Sequence, residues 1–292
     1  VLDYFEPRFL LGMTATPERM DGFDIFPLFD HNIAHEIRLK SALDQGLVSP
    51  FHYFGVTDIS IGGNPLDENS DFNLLIAPER VDRIIEIAEQ YGCDSGDIRG
   101  LVFCSRVDEA DELSRLFGLR GYRAISLSGT NSETERLQAI TNFESNDDSQ
   151  KIDYIFTVDV FNEGVDIPRV NQIIMLRPTQ SATIFVQQLG RGLRNTAGKD
   201  YLTVIDFIGN YQNNYMIPIA LYGDSSYSKD TLRKFVAAGS SLIPGSSTVN
   251  FDEIAQEKIF ESIDSVNLNR KKDLSHDYQT LKSRLGRVPM ML

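Results

Sequence analysis

Residues 187 to 194 read Gln-Gln-Leu-Gly-Arg-Gly-Leu-Arg, so that two arginines stand three positions apart behind a glycine. In a helix that spacing puts both side chains on one face. Two planar guanidinium forks so placed suit a polyphosphate, since each can bond a pair of oxygens. Glycine at 190 leaves the backbone bare enough for a close approach. About twenty residues earlier runs Asp159-Val-Phe-Asn-Glu-Gly-Val-Asp-Ile-Pro168, a Gly-Asp turn, and each segment follows an apolar, strand-like run. A Gly-Arg-x-x-Arg alone more often marks a solvated helix face. The preceding segment favours chemistry instead. From Ile167 to Lys199 there is no acid, while Arg169, Arg177, Arg191, Arg194 and Lys199 fall in that window. It fits either an anion-facing surface or a buried strand and helix, and the arginine pair favours the surface.

These segments resemble motifs V and VI of the superfamily 2 nucleic-acid-dependent ATPases, the DEAD/DEAH-like helicases and translocases. Within them the chain is most similar to the bacterial branch related to type I and type III restriction-enzyme motors. Leu101-Val-Phe-Cys-Ser-Arg106 resembles motif IV, and Leu11-Gly-Met-Thr-Ala-Thr-Pro-Glu-Arg19 resembles motif III, so four motifs stand in order between residues 10 and 194. The resemblance implies that Arg194 is an arginine finger for the transferring γ-phosphoryl group. It implies that Arg191 contacts that phosphate or orients the finger, and that Gln187 senses nucleotide. Gly164 and Asp166 would approach the nucleotide, Asp166 by accepting a ribose hydroxyl bond. Thr14 and Thr16 would couple hydrolysis to movement between two motor domains. Glu163 stands where many relatives carry arginine. Val158 stands where DEAD-box relatives often carry a threonine that bonds the nucleic-acid backbone; Thr157 is the adjacent candidate, although strand alternation turns it to the other face. Ser105 and Arg106 end one apolar strand, and Ser128-Gly-Thr130 follows another. Both should lie at the carboxyl edge of a parallel sheet, where hydroxyls and free N–H groups suit phosphates without reading bases.

No Gly-x-x-x-x-Gly-Lys-Ser/Thr cradle occurs, and no Asp-Glu-x-His/Asp follows an apolar strand to hold magnesium. The family places both upstream of motif III. The expectation is therefore half of a catalytic site: residues 1–35 as the end of a first RecA-like motor domain with a linker, Phe9 to Met13 forming its last buried strand; 36–222 as a second RecA-like domain; 223–292 as a helical accessory segment that continues past residue 292. ATP and Mg²⁺ would be bound mainly by the first motor domain of the same chain. The partner would be single- or double-stranded nucleic acid, DNA before RNA. One rival is a non-catalytic interaction scaffold of helicase-like fold, against which the intact arginines argue. A nucleotide-sugar or dinucleotide enzyme is another, but no Gly-x-Gly-x-x-Gly opens a helix.

The elements that must hold these residues are legible in outline. A chain of 292 residues, 41% hydrophobic, can bury a sizeable core. Apolar strands at 51–57, 99–104, 122–127, 152–158, 170–176 and 201–207 alternate with helical patterns at 78–91, 107–119, 133–143 and 182–189. Such alternation predicts a RecA-like α/β fold, a parallel sheet with helices on both faces, followed by a C-terminal helical extension. Beyond Tyr211, helices are expected at 231–237, 251–263 and 274–285. The acid-rich stretch 58–71 reads as a solvated loop. Cys93 and Cys104 lack metal-ligand spacing and read as reduced thiols of a cytoplasmic protein, with no zinc. No apolar run is long enough for a membrane span. The net charge of −14 argues against extensive coating by nucleic acid.

Overall fold

A computed structural model of the chain describes residues 4, 7–14, 25–67, 69–158, 167–223, 228–268, 278–279 and 281–289. It divides into two compact units, Val1–Ile37 with Asn267–Leu292, and Arg38–Val266.

The larger unit opens with helix α1 (Leu39–Asp44), strand β1 (Phe51–Thr57), a short hairpin β2 (Ser60–Ile61) and β3 (Asn64–Pro65), and helices α2 (Phe72–Leu75) and α3 (Pro78–Tyr91). There follow β4 (Gly100–Phe103), α4 (Val107–Leu119), β5 (Ala124–Leu127), α5 (Glu133–Phe143), β6 (Tyr154–Thr157), β7 (Gln172–Met175), α6 (Ala182–Gly192) and β8 (Leu202–Ile208). The last elements are α7 (Met216–Tyr222), α8 (Lys229–Ala238), β9 (Thr248–Phe251) and α9 (Glu253–Ser265). The seven longer strands form one sheet in the order β5-β6-β4-β7-β8-β1-β9, with every pairing parallel. Strands β4, β6, β7 and β8 are buried along their whole length, as helices on both faces require. This is the RecA-like α/β architecture. Its core on one face is aromatic: Phe117 from α4 meets Tyr154 and Phe156 of β6 edge to face, with ring centroids 5.3 and 4.8 Å apart.

Local chemistry sets several boundaries. Ser132 and Glu135 form a reciprocal capping box that starts α5. Asp252 caps α9 through the Ala255 N–H at 2.7 Å, and its carboxylate also accepts from Thr57 N–H and hydroxyl, each at 2.6 Å. One side chain thus ties α9 to the end of β1. In the β2–β3 hairpin, Gly62 and Gly63 have φ of +58° and +82°, the left-handed pair that a two-residue turn matching strand twist requires.

The structure departs from the expectations in four places. β9 and α9 belong to the same compact unit as the sheet, with β9 adding to its edge, so the expected extension after 223 contributes a strand as well as helices. α7 is an additional helix; its Pro218 lies in the first turn, where the missing N–H is tolerated. Asp58 is buried at 3% exposure rather than solvated, because it has a cationic partner described below. Phe9 to Met13 forms no strand, and Phe9, Leu11 and Met13 are exposed. Among the described residues it has no strand to pair with, and a lone strand leaves its backbone groups to water.

Candidate functional site

The predicted residues fall into two groups at opposite edges of the sheet. At the carboxyl edge, Ser105 follows β4 and is exposed, and its N–H donates to Glu109 Oε2 at 2.9 Å. Arg106, also exposed, donates through Nε and Nη2 to Asp108 at 2.9 and 2.6 Å, and its guanidinium lies 5.7 Å from the centre of the Phe72 ring. After β5, the Ser128 and Thr130 hydroxyls lie 2.7 Å apart, and Ser128 N–H donates to Asn131 Oδ1 at 2.8 Å. Arg136 Nη2 fastens this loop through the carbonyls of Asn131 and Gly129, at 2.7 and 3.1 Å. Ser105, Arg106, Ser128 and Thr130 are thus brought to one edge, as expected from strands that run parallel. Thr157 is not: it is wholly buried, and its hydroxyl finds no partner among the described residues. Strand alternation turns it inward and leaves the half-buried Val158 next to the edge.

The arginines lie at the other edge. α6 starts beyond the carboxyl end of β7 and runs back, so its last turn reaches the amino ends of β1 and β8. There Leu193 O accepts from Ser49 N–H at 2.8 Å, and Arg194 O from Ser49 Oγ at 3.0 Å. Arg191 is half-buried in the last turn, and its Nε–H points to Gln187 O at 3.4 Å; Gln187 is half-buried one turn earlier. Arg194 is exposed and stands past the helix, whose C-cap is Leu193. The two arginines therefore do not share a helical face. At that end Gly192 seats α6 closely on β8: a Cβ there would come within 2.4 Å of Leu202 Cδ1. Around Gly190, in contrast, the space within the chain is open. Gly164, Asp166, Glu163 and Thr16 lie outside the described residues. Thr14 is exposed in the smaller unit.

Two further features were not singled out by the sequence reading. The first supports the carboxyl edge from beneath. Arg80 of α3, with no exposed surface, donates to both oxygens of Asp58 (2.9 to 3.2 Å), to Glu109 Oε1 (3.1 Å) and to Leu75 O (2.8 Å). Burial works to lower the Arg80 pKa, but Asp58 and Glu109 more than reverse this and hold it charged. Glu109 in turn grips the Ser105 amide, so one ion cluster shapes the motif IV loop. A signal existed: Arg80 precedes Ile84 and Ile87 at helical spacing, and Glu109 precedes Leu113 likewise, so both lie on the apolar faces of their helices. The second feature is Lys199, whose ammonium donates to three carbonyls, of Pro168 (3.3 Å), Gly192 (2.5 Å) and Arg194 (3.0 Å). Burial pushes it down to about 8, against the opposing pull of Asp94 and Glu144.

Residues 79–196 match the family of the helicase conserved C-terminal domain. That range holds β4 to β7, which are contiguous on one side of the sheet. A 51.5 kDa protein of Lactococcus phage (isolate 7-9) is 23% identical over 69% of this chain and 43% of its own length. An ATP-dependent RNA helicase, DRS1 of Candida albicans, is 27% identical over 55% of this chain and 25% of its own. The chain thus spans less than half of these relatives. A fragment described as an HsdR subunit of a type I restriction enzyme of Vibrio vulnificus YJ016 superposes with a TM-score of 0.54 at 24% identity, over 70% of this chain and 41% of that one. That likeness concerns the fold. Residues 79–196 thus carry a match to the helicase conserved C-terminal domain, and the chain is similar in sequence to ATP-dependent helicases.

Proposed function

We propose that the chain supplies the second motor domain of an ATP-dependent helicase or translocase acting on nucleic acid, of the branch related to restriction-enzyme motors. In this reading residues 1–35 close the first motor domain, whose phosphate cradle and acid hold ATP and Mg²⁺. Arg194 neutralises charge developing on the γ-phosphoryl group, Arg191 contacts that phosphate or orients the finger, and Gln187, Gly164 and Asp166 approach the nucleotide. Thr14 and Thr16 couple the domains. Ser105, Arg106, Ser128 and Thr130 bond the sugar-phosphate backbone, DNA before RNA; the buried Thr157 is left out.

The carrying observation is the separation of the two groups. Cationic forks stand at one edge of the sheet and hydroxyls with an arginine at the other, as a motor needs if a nucleotide and a strand are to be held at once. Each guanidinium fork suits phosphate oxygens by itself, even though the two do not share a helical face, and the space around Gly190 within the chain is open. By the family pattern, magnesium is assigned to the first domain. Magnesium would supply neutralisation of the phosphate oxygens; the contribution of this chain is the positioned arginine charge. Opening and closing of the cleft would move the strand.

The test is Arg194→Ala in the full-length protein. A finger acts on the transition state, so kcat should fall on the order of a thousandfold. Nucleotide binding by stopped flow should change little, and Arg194→Lys should rescue poorly because a point charge cannot reproduce the fork. A kcat near that of the unaltered protein would remove the assignment.

A further inference from the structure

Three backbone carbonyls from two stretches of the chain converge on the Lys199 ammonium. Pro168 ends the motif V segment, Gly192 ends the motif VI helix, and Arg194 is the proposed finger itself. Their carbonyl oxygens lie 3.3, 2.5 and 3.0 Å from Nζ. The Gly192 carbonyl is one of those left unpaired at a helix C-terminus, where a cation is favoured. An ammonium has three donors, and here each has its own acceptor. Lys199 is also the last residue of the acid-free window; the next residue, Asp200, is exposed, and its N–H donates to Asp94 Oδ2 at 2.7 Å.

We infer that Lys199 is a positioning residue for the arginine pair, fastening the end of motif V to the end of motif VI so that the two move as one body; this rests on the nucleotide role proposed above for Arg191 and Arg194. Without the ammonium, the Gly192 and Arg194 carbonyls lose their shared donor. The turn that carries Arg194 then loses this tie, while Ser49 still donates to the Leu193 and Arg194 carbonyls from the other side. A displacement of about 1 Å at a catalytic group can lower a rate on the order of a hundredfold.

The fold around Lys199 also makes it sensitive to alkali. It sits among Asp94, Asp97, Arg99 and Arg169 at the amino edge of the sheet, with Glu144 of the α5 C-terminus nearby. Above pH 8 the ammonium loses its proton, leaving two donors for three carbonyls and no charge at the helix end. Fold stability moves the other way. The folded pKa lies below the ordinary lysine value, so between the two the unfolded chain binds more protons and this group adds stability as pH rises. A loss of activity above pH 8 through Lys199 is therefore not a loss of fold.

Steady-state ATPase of the full-length protein, stimulated by single-stranded DNA or RNA, is the experiment. Lys199→Met should lower kcat between about tenfold and a hundredfold, with the KM for ATP within about twofold. Lys199→Arg, which keeps charge and donors at all accessible pH, should retain most activity and abolish the alkaline fall that begins near pH 8. If Lys199→Met does not fold, the pH profile of Lys199→Arg decides alone, and an alkaline limb unchanged from the parent overturns the inference. Loss in Arg194→Ala with none in Lys199→Met overturns it too and leaves the arginine assignment standing. Retained activity in Arg194→Ala overturns both.

Discussion

Asp206 lies inside β8, opposite Gly55 of β1 and Met175 of β7, and is buried at 3% exposure. Tyr53 Oη–H donates to its Oδ2 at 2.7 Å. Burial raises its pKa to about 7 and the tyrosine bond only partly opposes this. A raised carboxylate pKa gives stability that is complete below the unfolded value and lost as pH climbs to the folded one. Asp206→Asn keeps an acceptor for Tyr53 and cannot ionise. Urea midpoints should therefore show the variant gaining on the parent at about pH 8 and converging with it near pH 4; parallel midpoints at both values would contradict the burial argument. At this scale the sequence was a partial guide. Arg191 and Arg194 stood out by type and spacing, but the burial of Asp206, Asp58 and Thr157 depends on strands and helices far apart in the chain. Lys199 read as one more cation in a window because its three acceptors are carbonyls, which leave no mark in side-chain identity.

Elements are held to one another by a few buried polar groups, and Arg80 is the strongest case. It joins α3, the segment after β1 and α4, whose Glu109 fixes the loop at Ser105. Arg80→Met leaves Asp58 and Glu109 facing each other in an apolar interior. Removing one member of such a pair costs about 3–5 kcal/mol, which urea unfolding of the 292-residue chain would register, whereas a loss below about 1 kcal/mol would mean that water reaches the site. Most helices were legible because their apolar positions repeat at helical spacing: α3, α4 and α5 keep the expected bounds. β9 was not, since Thr-Val-Asn-Phe is short and follows a Ser- and Gly-rich stretch; it becomes a strand only by adding to β1. The motif VI helix extends to Gly192, three residues beyond the apolar pattern, and still excludes Arg194. The close seat of Gly192 against Leu202 at that end is a packing relation invisible in either residue alone.

For the whole molecule, charge decides how it can meet a nucleic acid. Its net charge of −14 opposes any polyanion at long range, and the cations near the carboxyl edge are few. Arg106 and Arg177 flank the motif IV loop and the end of β7, while Arg136 is committed to loop carbonyls. Arg106 is moreover already bonded through two nitrogens to Asp108, so a phosphate must displace a carboxylate to reach it. Single strands lose about 0.7 in the slope of log affinity against log salt for each phosphate neutralised, so with about two contacts the slope should be about −1.4. Fluorescence anisotropy of a labelled oligonucleotide over a salt series would measure it on this chain. Asp108→Asn should tighten binding by freeing the Arg106 fork, and Arg106→Ala should lower the slope by about 0.7. A slope steeper than about −4, which requires some six neutralised phosphates, would place the strand on another surface and detach the carboxyl-edge residues from it.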